Sequence, residues 1–217
     1  MSLDTAAPSA RFREVVTSES EVRAVTGPPH QRALDKVVRV IDDMSRRFIA
    51  AAPFAFIASE NEDGTADVSP KGDPPGFVKV LDERTLAIPD RLGNRRFDTF
   101  RNLLRNPAIG CLIFLVPGVS YTLRISGTAI IVRDTDLREE LAVNRKIPDH
   151  VLVVAVSRVL SHCPKCMIRS GLWKPEDWPD TSGVPSFAET LIAHARISEP
   201  VEHVEAAIEA GNRDRLY

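Results

Sequence analysis

Apolar and polar positions along the chain fall into two textures. From Leu34 the apolar residues Val37, Val38, Ile41, Met44, Phe48 and Ile49 recur at helical spacing, which predicts a helix ended by Pro53. Beyond Pro53 the pattern turns to strands. Phe54 to Ser59 is apolar, and Glu62-Asp63-Gly64 reads as a hairpin turn into Thr65 to Ser69. Two short strands are expected at 77–81 and 85–88, after a Gly/Pro loop. Phe97, Phe100, Leu103 and Leu104 line one face of a helix expected to start near Asn94 and to stop before Asn106-Pro107.

The run from Ala108 to Val116 is apolar on both faces, as in a doubly buried strand. Residues 121–132 alternate: Leu123, Ile125, Ala129 and Ile131 share one face, Thr122, Arg124, Ser126 and Thr128 the other. A short helix at 136–146, a strand at 151–160 and two helices near 187–195 and 201–210 complete the pattern, with a Pro/Trp-rich loop at 174–185. Many strands with few helices between them predict a mostly β (α+β) fold, an antiparallel barrel with peripheral helices. Residues 1–32 are polar and read as a loosely attached arm or a short helix; residues 33–217 read as one domain with a helical C-terminal extension.

Composition narrows the picture. The chain has 217 residues, 43% apolar and 27% charged, an ordinary globular balance. A net charge of −2 offers no basic face for nucleic acid. No apolar run reaches the roughly twenty residues of a membrane span, and the N-terminus lacks the apolar core of a signal peptide. Three cysteines form no disulfide framework and suit a reducing compartment, so a cytoplasmic protein is expected.

Candidate chemistry centres on Arg91-Leu92-Gly93-Asn94-Arg95-Arg96. With Asn94 capping the helix, Arg95 and Arg96 fall in its first turn, where the dipole disfavours cations. An anion such as phosphate offsets them, met by free backbone N–H groups and guanidinium forks. Lys71 adds a further charge. The competing reading is a solvated arginine turn. Arg124 faces either a polar cleft, a subunit seam or a surface carboxylate.

His162-Cys163-Pro164-Lys165-Cys166 offers three metal ligands in five residues, but zinc normally wants four. No thioredoxin-like pattern surrounds the CxxC, so a strand-to-helix turn that happens to carry thiols is the favoured reading. Cys111 lies in an apolar strand as a small hydrophobe. The motifs GxSxG, Walker A, GxGxxG and HExxH are all missing, which leaves room for a cofactor's chemistry.

Several segments carry a wider likeness in order. They are Asp67-Val-Ser-Pro-Lys-Gly-Asp73, Pro75-Gly-Phe-Val78, Leu86-Ala-Ile-Pro-Asp-Arg91, Gly93-Asn-Arg-Arg96, Asn102, Phe114-Leu-Val-Pro-Gly118, Thr122-Leu-Arg-Ile-Ser-Gly127 and His162 through Trp173. On them the chain resembles the pyridoxamine 5′-phosphate oxidase-like FMN-binding superfamily, and within it the FMN-dependent flavoproteins of unassigned substrate. The resemblance implies a split β-barrel homodimer with FMN at the subunit interface and redox chemistry on a small molecule. It implies that Val68, Ser69 and Pro70 lie along the isoalloxazine, and that Lys71, Arg91, Asn94, Arg95 and Arg96 serve the phosphate and ribityl chain. Arg124, Lys165, Arg169, Ser170 and Trp173 then approach the flavin from one subunit or the other. The oxidase's pyridoxal-phosphate recognition residues find no match. Three alternatives stand beside this reading: a flavin store or sensor without turnover, the same fold holding deazaflavin or haem, and a zinc protein using His162, Cys163 and Cys166.

Overall fold

The computed structural model describes residues 11–217. Residues 11–36 carry two short helices, α1 (Glu19–Thr26) and α2 (Gln31–Asp35). Ser18 caps α1 by accepting from the Glu21 amide. Residues 1–10 of the expected arm lie outside the described part.

The compact unit spans residues 37–217. Its centre is a seven-stranded antiparallel sheet made of β1 (Phe54–Glu60), β2 (Ala66–Gly72), β3 (Lys79–Val80), β4 (Thr85–Pro89), β5 (Ala108–Leu115), β6 (Leu123–Val132) and β7 (Val151–Ser161), ordered β2-β1-β5-β6-β7-β4-β3. This is the split barrel expected, with a sheet that does not close. Peripheral helices are α3 (Asp43–Ala51), α4 (Asp98–Arg105), α5 (Thr135–Glu140), α6 (Lys165–Arg169), α7 (Phe187–Ala195) and α8 (Val201–Asp214).

Strand alternation sets the core. In β6, Leu123, Ile125, Gly127 and Ala129 are buried while the residues between them are partly or fully exposed. Leu123, Ile125 and Ala129 join Ile49, Ile57, Leu86, Leu112, Phe114, Val154 and Val159 in the main apolar cluster. One glycine is sterically required. The β6–β7 register shifts between Ser126 and Gly127, and a Cβ at Gly127 would run into the Ala155 carbonyl, whose carbon would lie 2.9 Å away.

The helix expected from Leu34 to Pro53 does not form as one piece. Residues 36–42 break it, because Val38 instead exchanges two backbone hydrogen bonds with Val159, of 2.9 and 2.8 Å. Asp42 then starts α3 afresh by accepting from the Ser45 amide. Met44, read as part of the apolar stripe, is 64% exposed. The expected helix at 136–146 shortens to α5, since residues 143–146 turn back on themselves through the Val143–Lys146 bridge.

Candidate functional site

Strand β2 lies at one edge of the sheet, paired to β1 alone. Its alternation turns Asp67, Ser69 and Lys71 toward partial burial and leaves Val68 and Pro70 exposed. Pro70 suits an edge strand because it has no N–H to offer a second neighbour. The Lys71 ammonium donates to the Ser69 hydroxyl at 2.8 Å. Burial lowers the Lys71 pKa, opposed by the charges of Asp90 and Asp67. Burial raises that of Asp90, opposed first by Lys71. The two groups thus share a half-dry wall and partly neutralise each other.

Opposite β2 runs the 91–97 loop between β4 and α4. Here the sequence expectation needs correction. Asn94 does not cap a helix; α4 begins at Asp98, with Phe97 at its N-cap and no side-chain cap. Arg95 and Phe97 both take positive φ, 59° and 55°, which keeps the segment out of the helix. Two contacts explain the arrangement. Asn94 Oδ1 accepts from the Arg96 amide at 3.0 Å, a local turn that competes with helix. The Phe97 ring packs near Phe100 and His150, with centroids 5.6 and 6.4 Å away. The first turn of α4 therefore carries no arginine; Asp98 occupies it and complements the dipole. Asp98 accepts from Arg96 (2.6 Å) and Arg101 (2.7 Å), and the Arg96 bond leads the lowering of its pKa.

The basic cluster survives this correction as a cleft of side chains. Val68, Ser69, Pro70, Lys71, Asn94 and Arg96 line one part, together with Asp67, Asp90 and Asp98. Lys71, Arg91, Asn94 and Arg95 line an adjoining cavity of about 360 Å³, with Lys146, His150 and Tyr217. Arg95 is exposed and forms no ion pair among the described residues. Arg91 is mostly committed elsewhere. Its Nε donates to Asp73 at 2.5 Å and its Nη2 to the Leu141 carbonyl at 2.9 Å, while Nη1 is buried without a partner.

The second predicted group lies elsewhere on the chain. Arg124, on β6, pairs in register with Ile113 and Leu160, and its Nε is buried without a partner. Burial raises the Cys111 thiol pKa, and the Arg124 charge opposes that rise. Lys165 and Arg169 lie on α6, and the Ser170 hydroxyl donates to the Met167 carbonyl. Trp173 is half-buried, its indole N–H on the Val119 carbonyl at 2.9 Å. Among the described residues, none of these five lines the cleft of Lys71 and Arg95.

Sequence reading missed several cleft residues. Asp90 directly follows β4 and lines every part of the cleft. Tyr217 donates its hydroxyl to Asp73 at 2.6 Å, and Arg91 lies over its ring, 5.9 Å from the centroid. That hydrogen bond to Asp73 leads the rise in the Tyr217 pKa. Asp90 was signalled by its place at a strand end. Nothing local marks Tyr217, whose partner is 144 residues away.

A donor set of hydroxyl, amide, ammonium and guanidinium fits a phosphate group, which carries about two negative charges and three strong acceptor oxygens. No group of three or more metal-ligating side chains is found among the described residues, and none of their helices is long and apolar enough to cross a membrane.

A sequence model of the pyridoxamine 5′-phosphate oxidase family matches residues 41–163, more than half of the chain. No curated protein matches. Among solved structures the chain is similar to HupZ of Group A Streptococcus, with 18% identity over 56% of this chain and 93% of that one and a TM-score of 0.46. A protein from Clostridium acetobutylicum, related to general stress protein 26 and of the pyridoxinephosphate oxidase family, shares 14% identity over 55% of this chain and 91% of that one, with a TM-score of 0.41. A NimC/NimA family protein of the same organism shares 13% over 55% and 91%, with a TM-score of 0.37.

Proposed function

The chain belongs to the pyridoxamine 5′-phosphate oxidase family, and on that premise we propose that it is an FMN-dependent oxidoreductase of a small molecule, acting as a homodimer. The observation that carries this reading is the meeting of Ser69 and Lys71 on β2 with Asn94, Arg95 and Arg96 on the facing loop. Bound FMN would supply hydride-transfer chemistry that none of the side chains lining the cleft offers. Arg95 and Arg96 bind the phosphate, and Arg96 is held toward the cleft's rim by Asp98. Lys71 keeps a positive charge in a half-buried place, where an anion gains more from it than in water. The exposed Val68 and Pro70 give the flavin ring an apolar edge to lie on.

The homodimer part of the proposal rests on the separation of the two residue groups. A second subunit offers a way to bring Arg124, Lys165, Arg169, Ser170 and Trp173 to a cleft they do not reach within one chain. The buried, unpartnered Arg124 Nε is a donor that such an arrangement would satisfy.

Titration of the apo protein with FMN, followed by absorbance and fluorescence, tests this. An Arg95→Ala/Arg96→Ala double variant is expected to weaken binding by roughly a hundredfold or more, since each charge-assisted bond contributes about 1.5–3 kcal/mol. A protein that ignores FMN sinks the proposal, and a parallel titration with a deazaflavin shows whether the cleft takes that group instead. Bound flavin that no donor can reduce sends the reading to a flavin store.

A further inference from the structure

The expected strand-to-helix turn at residues 162–166 forms between β7 and α6, with an exposed thiol at each end of its 163–166 stretch. Cys163 and Cys166 are both free and exposed. Pro164 has helical dihedrals (φ −74°, ψ −9°), and Lys165 opens α6. Residues 163–166 thus make a turn with proline at its second position, the place proline favours. Helical backbone at both central positions brings the outer Cα atoms within about 7 Å, and a disulfide spans about 4.4–6.8 Å. Each sulfur contacts the backbone of the turn. Cys163 Sγ accepts from the Lys165 amide at 3.5 Å, and the Cys166 thiol points at the Cys163 carbonyl at 4.0 Å. Downstream, the Ile168 and Ser170 amides bond back to the Pro164 and Cys166 carbonyls, so the turn has a firm base.

From this geometry we propose that Cys163 and Cys166 form a redox-active dithiol, which closes to an intramolecular disulfide by exchange with a small-molecule disulfide. Cys163, whose sulfur accepts a backbone N–H, attacks one sulfur of the external disulfide as a thiolate. That S–S bond breaks and one small thiol leaves. Cys166 then attacks the Cys163 sulfur of the mixed disulfide and expels the second small thiol. Two protein S–H groups are oxidised to one S–S bond, and one small disulfide is reduced to two thiols. In a reducing compartment such a pair cycles rather than staying closed, the usual behaviour of catalytic or sensing dithiols. The third cysteine is the internal contrast: Cys111 is half-buried, and burial raises its thiol pKa.

The full-length protein, treated with oxidised glutathione and read by mass spectrometry and thiol titration, tests the proposal. The wild type is expected to lose two of its three free thiols with no retained adduct, and to recover both with dithiothreitol. Cys166→Ser is expected to trap one glutathione on residue 163, and Cys163→Ser to react at least tenfold more slowly. Cys111→Ser changes none of this. A glutathione adduct that persists on the wild type, or thiols that stay unreactive, overturns the proposal. So does reactivity that appears only after a zinc chelator is added. Because the readout is covalent and needs no bound flavin, its failure is distinct from failure of the FMN reading.

Discussion

The β6–β7 seam and the 91–97 loop are built by opposite means. The seam is a long backbone ladder between strands whose inward residues are nearly all buried, and its one irregularity is a glycine pressed against the neighbouring strand. The loop has few backbone bonds. It is fixed by side chains, with Arg91 on Asp73 and Leu141 and Phe97 against His150 far along the chain, and Arg96 on its near neighbour Asp98. Burial is non-directional and tolerates local error. A loop held by polar contacts at 2.5–2.9 Å does not. The sheet therefore carries stability, and the loop carries geometry that only a ligand rewards.

Four substitutions press on that contrast. The largest effect is expected at the seam. Gly127→Val drives side-chain atoms into the Ala155 carbonyl and should cost more than about 3 kcal/mol, read as a lost or greatly shifted denaturant midpoint. A midpoint within about 1 kcal/mol of the wild type would show that the seam yields as easily as a loop. Next comes the anchor beneath the cleft. Asp73 is almost fully buried and Arg91 mostly so, and removing one partner strands the other's charge; Asp73→Ala should cost about 3 kcal/mol and weaken FMN together. Tyr217→Phe, which deletes only the hydroxyl on Asp73, should cost nearer 1 kcal/mol. The smallest and most discriminating change is Arg95→Gly. It relieves a left-handed residue, so stability should rise by about 0.5 kcal/mol, net of glycine's greater freedom in the unfolded chain. FMN affinity should fall roughly tenfold, the loss of a single charged contact. Denaturation and flavin titration moving in opposite directions would mark strain kept for binding.

The same contrast explains what could be read in advance. Strand β5, expected to be buried on both faces, buries Leu112 and Phe114 but leaves Cys111, Ile113 and Leu115 partly exposed. The faces of β6, the β1–β2 hairpin and the span of α7 follow from alternation and turn chemistry. Each is a local rule that tertiary packing agrees with. The failures share a cause. Val38 left a good helical stripe because its backbone found Val159, far along the chain. Asn94 has the side chain of a helix cap, but it turned that oxygen to the Arg96 amide once Phe97 had swung toward His150. The basic residues of the cleft were visible as a cluster. The carboxylates that temper them, Asp90 and Asp98, and the phenol of Tyr217 were not, since their roles depend on neighbours that periodicity never sees.

The Tyr217–Asp73 contact also bears on the order in which the molecule is made. All seven strands are in hand once Ser161 has emerged from the ribosome, and the sheet can collapse then. Asp73 must wait for a residue 144 positions later before its second oxygen is satisfied. The floor under Arg91 is thus completed only after α7 and α8 have been synthesised. A nascent chain passes through a stage with a complete sheet and an unfinished cleft, and a cut near residue 214 would return the mature protein to it.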